Sequence, residues 1–129
     1  YLADTGLLCY LLGIETVEEF LRSPLLGAIW EAFVFSELRK RETFANGKWE
    51  IWYWRDLRKL EVDFLIHKGG RFFLMEAKFT ETPTARDTQE LKKVEEILGR
   101  KNIEQKSILC RTPHRYTLSN GTEIAPLWK

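Results

Sequence analysis

The chain is short of cysteine, of histidine and of net charge, and each shortage removes a class of function. Cys9 and Cys110 are the only cysteines, and both sit in apolar runs, "GLLCYLL" and "SILCR". Two cysteines without a spacing pattern build neither a disulfide framework nor a zinc knuckle. They read as buried thiols of a reducing compartment, so the expected location is cytoplasmic. His67 and His114 stand alone, with no ligand partner at helical or turn spacing. No apolar run approaches the roughly 20 residues of a membrane span, and no signal peptide is visible. The formal net charge is +1, so no global field draws the protein to nucleic acid or membrane. Any nucleic-acid contact has to come from a local patch. No internal repeat, low-complexity tract or flexible linker breaks the chain.

What is present fits one folded unit. A chain of 129 residues predicts a single domain over 1–129 that buries roughly two thirds of its unfolded surface. Hydrophobic residues at 44% and charged residues at 30% describe a globular chain and exclude a disordered one. The opening "YLADTGLL", without a methionine, suggests a fragment of something longer. Asp4 is placed to cap a short helix through Tyr10, with Gly13 as its stop. Thr16 and Glu19 form a capping-box pair for a second, "VEEFLR". Ser23 before Pro24 predicts the start of a long helix to about Arg41, with Leu26, Trp30, Phe33, Val34 and Leu38 at helical spacing. "ANG" at 45–47 marks its end.

The period then changes to two. "WEIWYWR" (49–55), "LEVDFLIH" (60–67) and "RFFLMEAKF" (71–79) predict three strands, the last two joined by a hairpin at Lys68-Gly69-Gly70. A helix over about 85–99 follows, with Leu91, Val94 and Leu98 as its stripe. "QKSILCR" (105–111) reads as a strand parallel to one already in the sheet. "YTLSNGTEIAPLW" reads as a closing hairpin through Asn120-Gly121. The expected fold class is α/β, a central mixed sheet flanked by helices, with short helices at the start.

Acidic residues interrupt the second and third strands. Alternation places Glu76 and Lys78 on one face of the third strand, roughly 7 Å apart along it. It places Asp63 with Glu61 and Leu65 on the second, opposite Val62, Phe64 and Ile66. Asp63 and Glu76 lie at similar distances from the Gly69-Gly70 turn, so the hairpin sets them side by side. Adjacent carboxylates repel unless a proton or a cation intervenes. Mg²⁺ or Mn²⁺ suits such a pair, because it takes oxygen ligands and keeps waters of its own. Lys78 beside it would orient or deprotonate an attacking water, or steady a phosphate. The structural alternative is a salt-bridge cluster on an exposed sheet face. Glu31 lies on the stripe of the long helix, four residues after Gly27, whose missing side chain would leave room for close approach. Arg55, at the end of the first strand, is a phosphate-binding candidate. The tryptophans of "WEIWYWR" offer stacking surface but read mainly as sheet core.

A helical glutamate, a strand aspartate and a strand Glu-x-Lys resemble the signature of the PD-(D/E)XK, or restriction endonuclease-like, superfamily. Here they are Glu31, Asp63, Glu76 and Lys78, with "EVD" where the motif's proline would stand. More narrowly, "YLADTGLLCYLLGI", "LLGAIWEAFVFSELRK", "WYWRDLRKLEVDFLI", "FLMEAKF" and "PLWK" resemble the C-terminal domain, of unknown function, of prokaryotic AAA-type P-loop ATPases. The resemblance implies a restriction endonuclease-like fold. It implies Mg²⁺ or Mn²⁺ held by Asp63, Glu76 and the carbonyl of Ala77, with Glu31 orienting a metal-bound water. In some related nucleases a glutamine where Gln89 stands also helps the site. It implies DNA as substrate and an ATPase domain of the same protein as partner. ATP would bind only in that domain, since nothing here matches G-x-x-x-x-G-K-[ST]. The expected function is a metal-dependent DNA phosphodiester hydrolase. The alternative is a retired nuclease fold that binds DNA or protein and regulates the ATPase.

Overall fold

The computed structural model describes residues 3–46 and 48–127. Gly47 of the "ANG" turn and the last two residues of "PLWK" lie outside the described residues. Two short helices open the chain. In α1 (Thr5–Leu11) the Asp4 carboxylate accepts the Leu7 N–H, and in α2 (Val17–Arg22) Thr16 and Glu19 close a capping box. The long helix α3 spans Leu26–Phe44. It starts two residues after Pro24 because Ser23 builds a turn there. The Ser23 hydroxyl accepts the Leu25 N–H and its carbonyl accepts the Leu26 N–H.

Three antiparallel strands follow, β1 (Trp49–Arg55), β2 (Glu61–Lys68) and β3 (Arg71–Ala77). Both turn glycines, Gly69 and Gly70, have positive φ, a conformation that side chains with a Cβ resist. The predicted helix over 85–99 divides into a 3₁₀ turn, Ala85–Thr88, and α4, Gln89–Leu98. Then come β4 (Ile103–Cys110), β5 (Tyr116–Thr117) and β6 (Glu123–Pro126). The six strands lie in the order β1-β2-β3-β4-β6-β5. β4 runs parallel to β3 and β6 parallel to β4, so the sheet is mixed.

Each face carries its own apolar layer. On one side Trp30, Val34 and Leu38 of α3 pack on Phe64, Ile66, Leu109 and Ala125. On the other, Leu91 and Val94 of α4 pack on Leu65, Leu74, Ile108 and Ile124. Cys110 is buried in this second layer, and both cysteines are free thiols. Among the described residues no helix is long and apolar enough to cross a membrane.

Candidate functional site

The site forms where β2 and β3 part. Their ladder runs from Lys68–Arg71 to Phe64–Met75 and stops there. The next pair in register is Asp63 with Glu76. A bulge in β2 turns Asp63 toward β3. Trp52 pairs with Leu65 and Trp54 with Val62, so Tyr53 alone stands opposite both Asp63 and Phe64. The extra residue absorbs one step of the alternation. Val62 therefore packs in the same layer as Leu65, and not with Phe64 and Ile66 as unbroken alternation predicts. The Asp63 carboxylate replaces the missing ladder bond, accepting the Ala77 N–H at 2.8 Å.

Around that bond three side chains converge. Glu76 is 4% exposed, and its carboxyl is hydrogen-bonded to that of Asp63. The Lys78 Nζ lies 3.2 Å from the Glu76 carboxylate. Lys78 is the first residue past β3, and its N–H donates to the Leu109 carbonyl. That bond holds the lysine backbone against β4 while its side chain stays partly open to solvent. Burial, and then the charge of Asp63, push the Glu76 carboxyl up to about 8. Burial raises Asp63 as well. For Lys78 burial works downward, but the charge and hydrogen bond of Glu76 outweigh it and the ammonium is held more firmly than usual. At neutral pH the pair therefore keeps a proton, on Glu76, that a free carboxyl would release, a state that two buried acids adopt when only one cation is at hand.

The cluster opens into a cleft of about 360 Å³, walled by Lys59, Glu61, Arg86, Asp87 and Glu90. These five were not legible as site residues in the sequence. Lys59 is set by the β1–β2 turn, where it has a φ of 62°. The Asp56 carboxylate accepts the N–H groups of Arg58 and Leu60 and fixes that turn. Glu90, in the first turn of α4, accepts the Glu61 N–H at 3.0 Å. It is Glu90, and not Gln89 before it, that lines the cleft.

Two candidates are not among the residues that line this cleft. Arg55 pairs with Glu61 at 2.9 Å on the exposed edge and touches the cleft only through it. Glu31, half-buried on α3, does not line the cleft. Gly27 supplies no close approach, since a Cβ there would meet nothing within 4 Å. Gly27→Ala should therefore stabilise the protein by up to about 1 kcal/mol in urea titrations, through helix propensity alone. A loss of stability would mean that the glycine is needed for contact after all.

Residues 26–129 match the family described as "Domain of unknown function (DUF4143)". The chain is also 33% identical, over 126 residues, to an uncharacterized protein of Mycobacterium bovis and to one of Mycobacterium tuberculosis. The match covers 98% of this chain but 26% of each relative, so the chain spans about a quarter of their length. With most of its length and its whole sheet inside that match, the chain belongs to the DUF4143 family of domains.

Proposed function

We propose that this is a metal-dependent phosphodiester hydrolase domain of restriction endonuclease-like fold, acting on DNA as part of a longer ATPase polypeptide. The observation that carries it is the pressing together of Asp63 and Glu76 beside Lys78, at the mouth of a cleft and at the point where two strands separate. The donor set fits one kind of ion. All its groups are oxygens, and among the described residues no three His, Cys, Asp or Glu side chains converge to form a closed site. That favours Mg²⁺ or Mn²⁺, which accept two carboxylates and fill the rest of their shell with water and phosphate oxygens, over zinc. Asp63 and Glu76 would hold the ion, with the Ala77 carbonyl as a further donor. Bound there, it would supply positive charge to the phosphate and acidify a water.

The protein's own groups do the rest. The Asp63–Ala77 hydrogen bond fixes one carboxylate oxygen, and the other faces Glu76, so an ion would replace the proton the two acids share. Lys78 presents an ammonium whose N–H groups suit a phosphate oxygen gaining charge. Lys59 and Arg86, both exposed on the cleft wall, are placed for neighbouring phosphates. The wall and floor nevertheless carry five acids against three bases. DNA affinity should be modest, dependent on the divalent ion and steeply weakened by salt.

The test is incubation of the protein with single- and double-stranded DNA at low salt. Cleavage is expected with Mn²⁺ and none with EDTA. If the wild type never cuts, yet binds DNA equally with and without the Asp63 carboxylate, the fold serves as a non-catalytic binding module.

A further inference from the structure

The strongest feature outside the cleft is an apolar surface on the two opening helices. Thirteen large hydrophobic residues are exposed among those described, and seven of them fall between Leu7 and Leu25. They are not scattered. Leu7, Tyr10 and Leu11 recur at three- and four-residue spacing on α1, and Val17 and Leu21 at four on α2, so each helix turns an apolar stripe to water. Tyr10 is 78% exposed and Val17 68%. Neither helix has a buried residue. Their inner sides, Phe20 among them, wall a groove of about 390 Å³ floored by Trp30, Phe33 and Phe79. A domain with its core complete gains nothing by holding two such stripes in solvent.

Two further facts say what covers them. The DUF4143 match begins at Leu26, the first residue of α3, so α1 and α2 lie outside the family domain. The mycobacterial relatives nevertheless match 98% of this chain, opening helices included, and about three quarters of their own length lies elsewhere. The helices thus travel with the domain without being part of it, in proteins that contain much more chain. Glu15, Glu18 and Glu19 give the surface an acidic rim against a single Arg22. We propose that α1 and α2 are the docking surface through which this domain packs on the remainder of a longer polypeptide, which meets them with an apolar patch and a basic rim. This stands whether or not the cleft cuts DNA.

The test uses the polypeptide as it is encoded in full. Hydroxyl-radical labelling reads each tyrosine, and Tyr53, 55% exposed at the far edge of the sheet, is the internal reference. On a free surface Tyr10 reacts at least as fast as Tyr53. Docked, it should react several-fold more slowly. The double variant Leu11→Asp/Leu21→Asp should restore Tyr10 reactivity while the amides of Leu91 and Val94 stay protected from hydrogen exchange. Equal labelling of Tyr10 and Tyr53 in the wild type overturns the proposal without needing any variant. Protection of Tyr10 that appears only as sedimentation shows a dimer also overturns it, and assigns the surface to a second copy.

Discussion

Asp63→Asn leaves the protein folded and the DNA uncut. The substitution is isosteric. The side-chain oxygen still accepts the Ala77 N–H, and the new amide can donate to Glu76 where the Asp63 oxygen accepted from it, so the local structure persists. What goes is the negative charge and one carboxylate oxygen, the two properties a hard divalent ion needs. Mn²⁺-dependent cleavage should fall below detection, with the melting temperature held or raised, since a carboxylate penalised by burial has become a neutral amide. Lys78→Met, which keeps the length of the side chain and removes its N–H groups, should cost on the order of 10²- to 10³-fold in rate, as loss of one preorganised donor does elsewhere. Gel assays at several Mn²⁺ concentrations with circular dichroism as a folding control decide it. Wild-type rates in both variants would remove the hydrolase reading of the cleft.

The residues of that cluster were legible in the sequence because they depend on a short-range device. A Gly-Gly turn fixes hairpin register, and register carries Asp63 to Glu76 with Lys78 just beyond. The helices α1 and α2 were legible for the same kind of reason, their capping residues lying within four positions of what they cap. The α4-side wall was not. Lys59, Arg86 and Glu90 reach the cleft from a turn, a 3₁₀ segment and a helix start, and only the packing of α4 against the sheet brings them together. Nothing in the spacing of those residues encodes that meeting.

The bulge at Asp63–Phe64 was hidden for a different reason. Alternation is a rule about unbroken ladders, and "EVDFLI" is apolar enough to satisfy either phase. Only the structure shows Val62 and Leu65 sharing a layer. The bulge also explains how a sheet core tolerates Asp63: its side chain stands in for the ladder bond that the parted strands cannot make. The Gly27 spacing read beside Glu31 is a different case, since a Cβ at Gly27 would meet nothing within 4 Å.

Stability should fall as pH rises through the range in which Glu76 gives up its proton, and Glu76→Gln should abolish most of that fall. The sign follows from linkage. The folded-state carboxyl titrates at about 8 and the free side chain at 4.5, so between those values the native state holds a proton that the unfolded chain has released. Stability then decreases with pH across that window and levels off above it. Asp63, also raised by burial, adds in the same direction. A tenfold difference in proton affinity between folded and unfolded chain is worth about 1.4 kcal/mol, so the accumulated loss is on the order of several kcal/mol. Glutamine copies the protonated acid in shape and hydrogen bonding, and it has nothing to titrate. Urea titrations in EDTA should show wild type and Glu76→Gln close together at pH 5, with the variant clearly the more stable at pH 9. Adding Mn²⁺ at pH 9 should then recover stability in the wild type and little in the variant, because only the wild type has two carboxylates to neutralise. Parallel pH profiles for the two proteins would show that Glu76 ionises freely, and that Asp63 and Glu76 are not strained against each other.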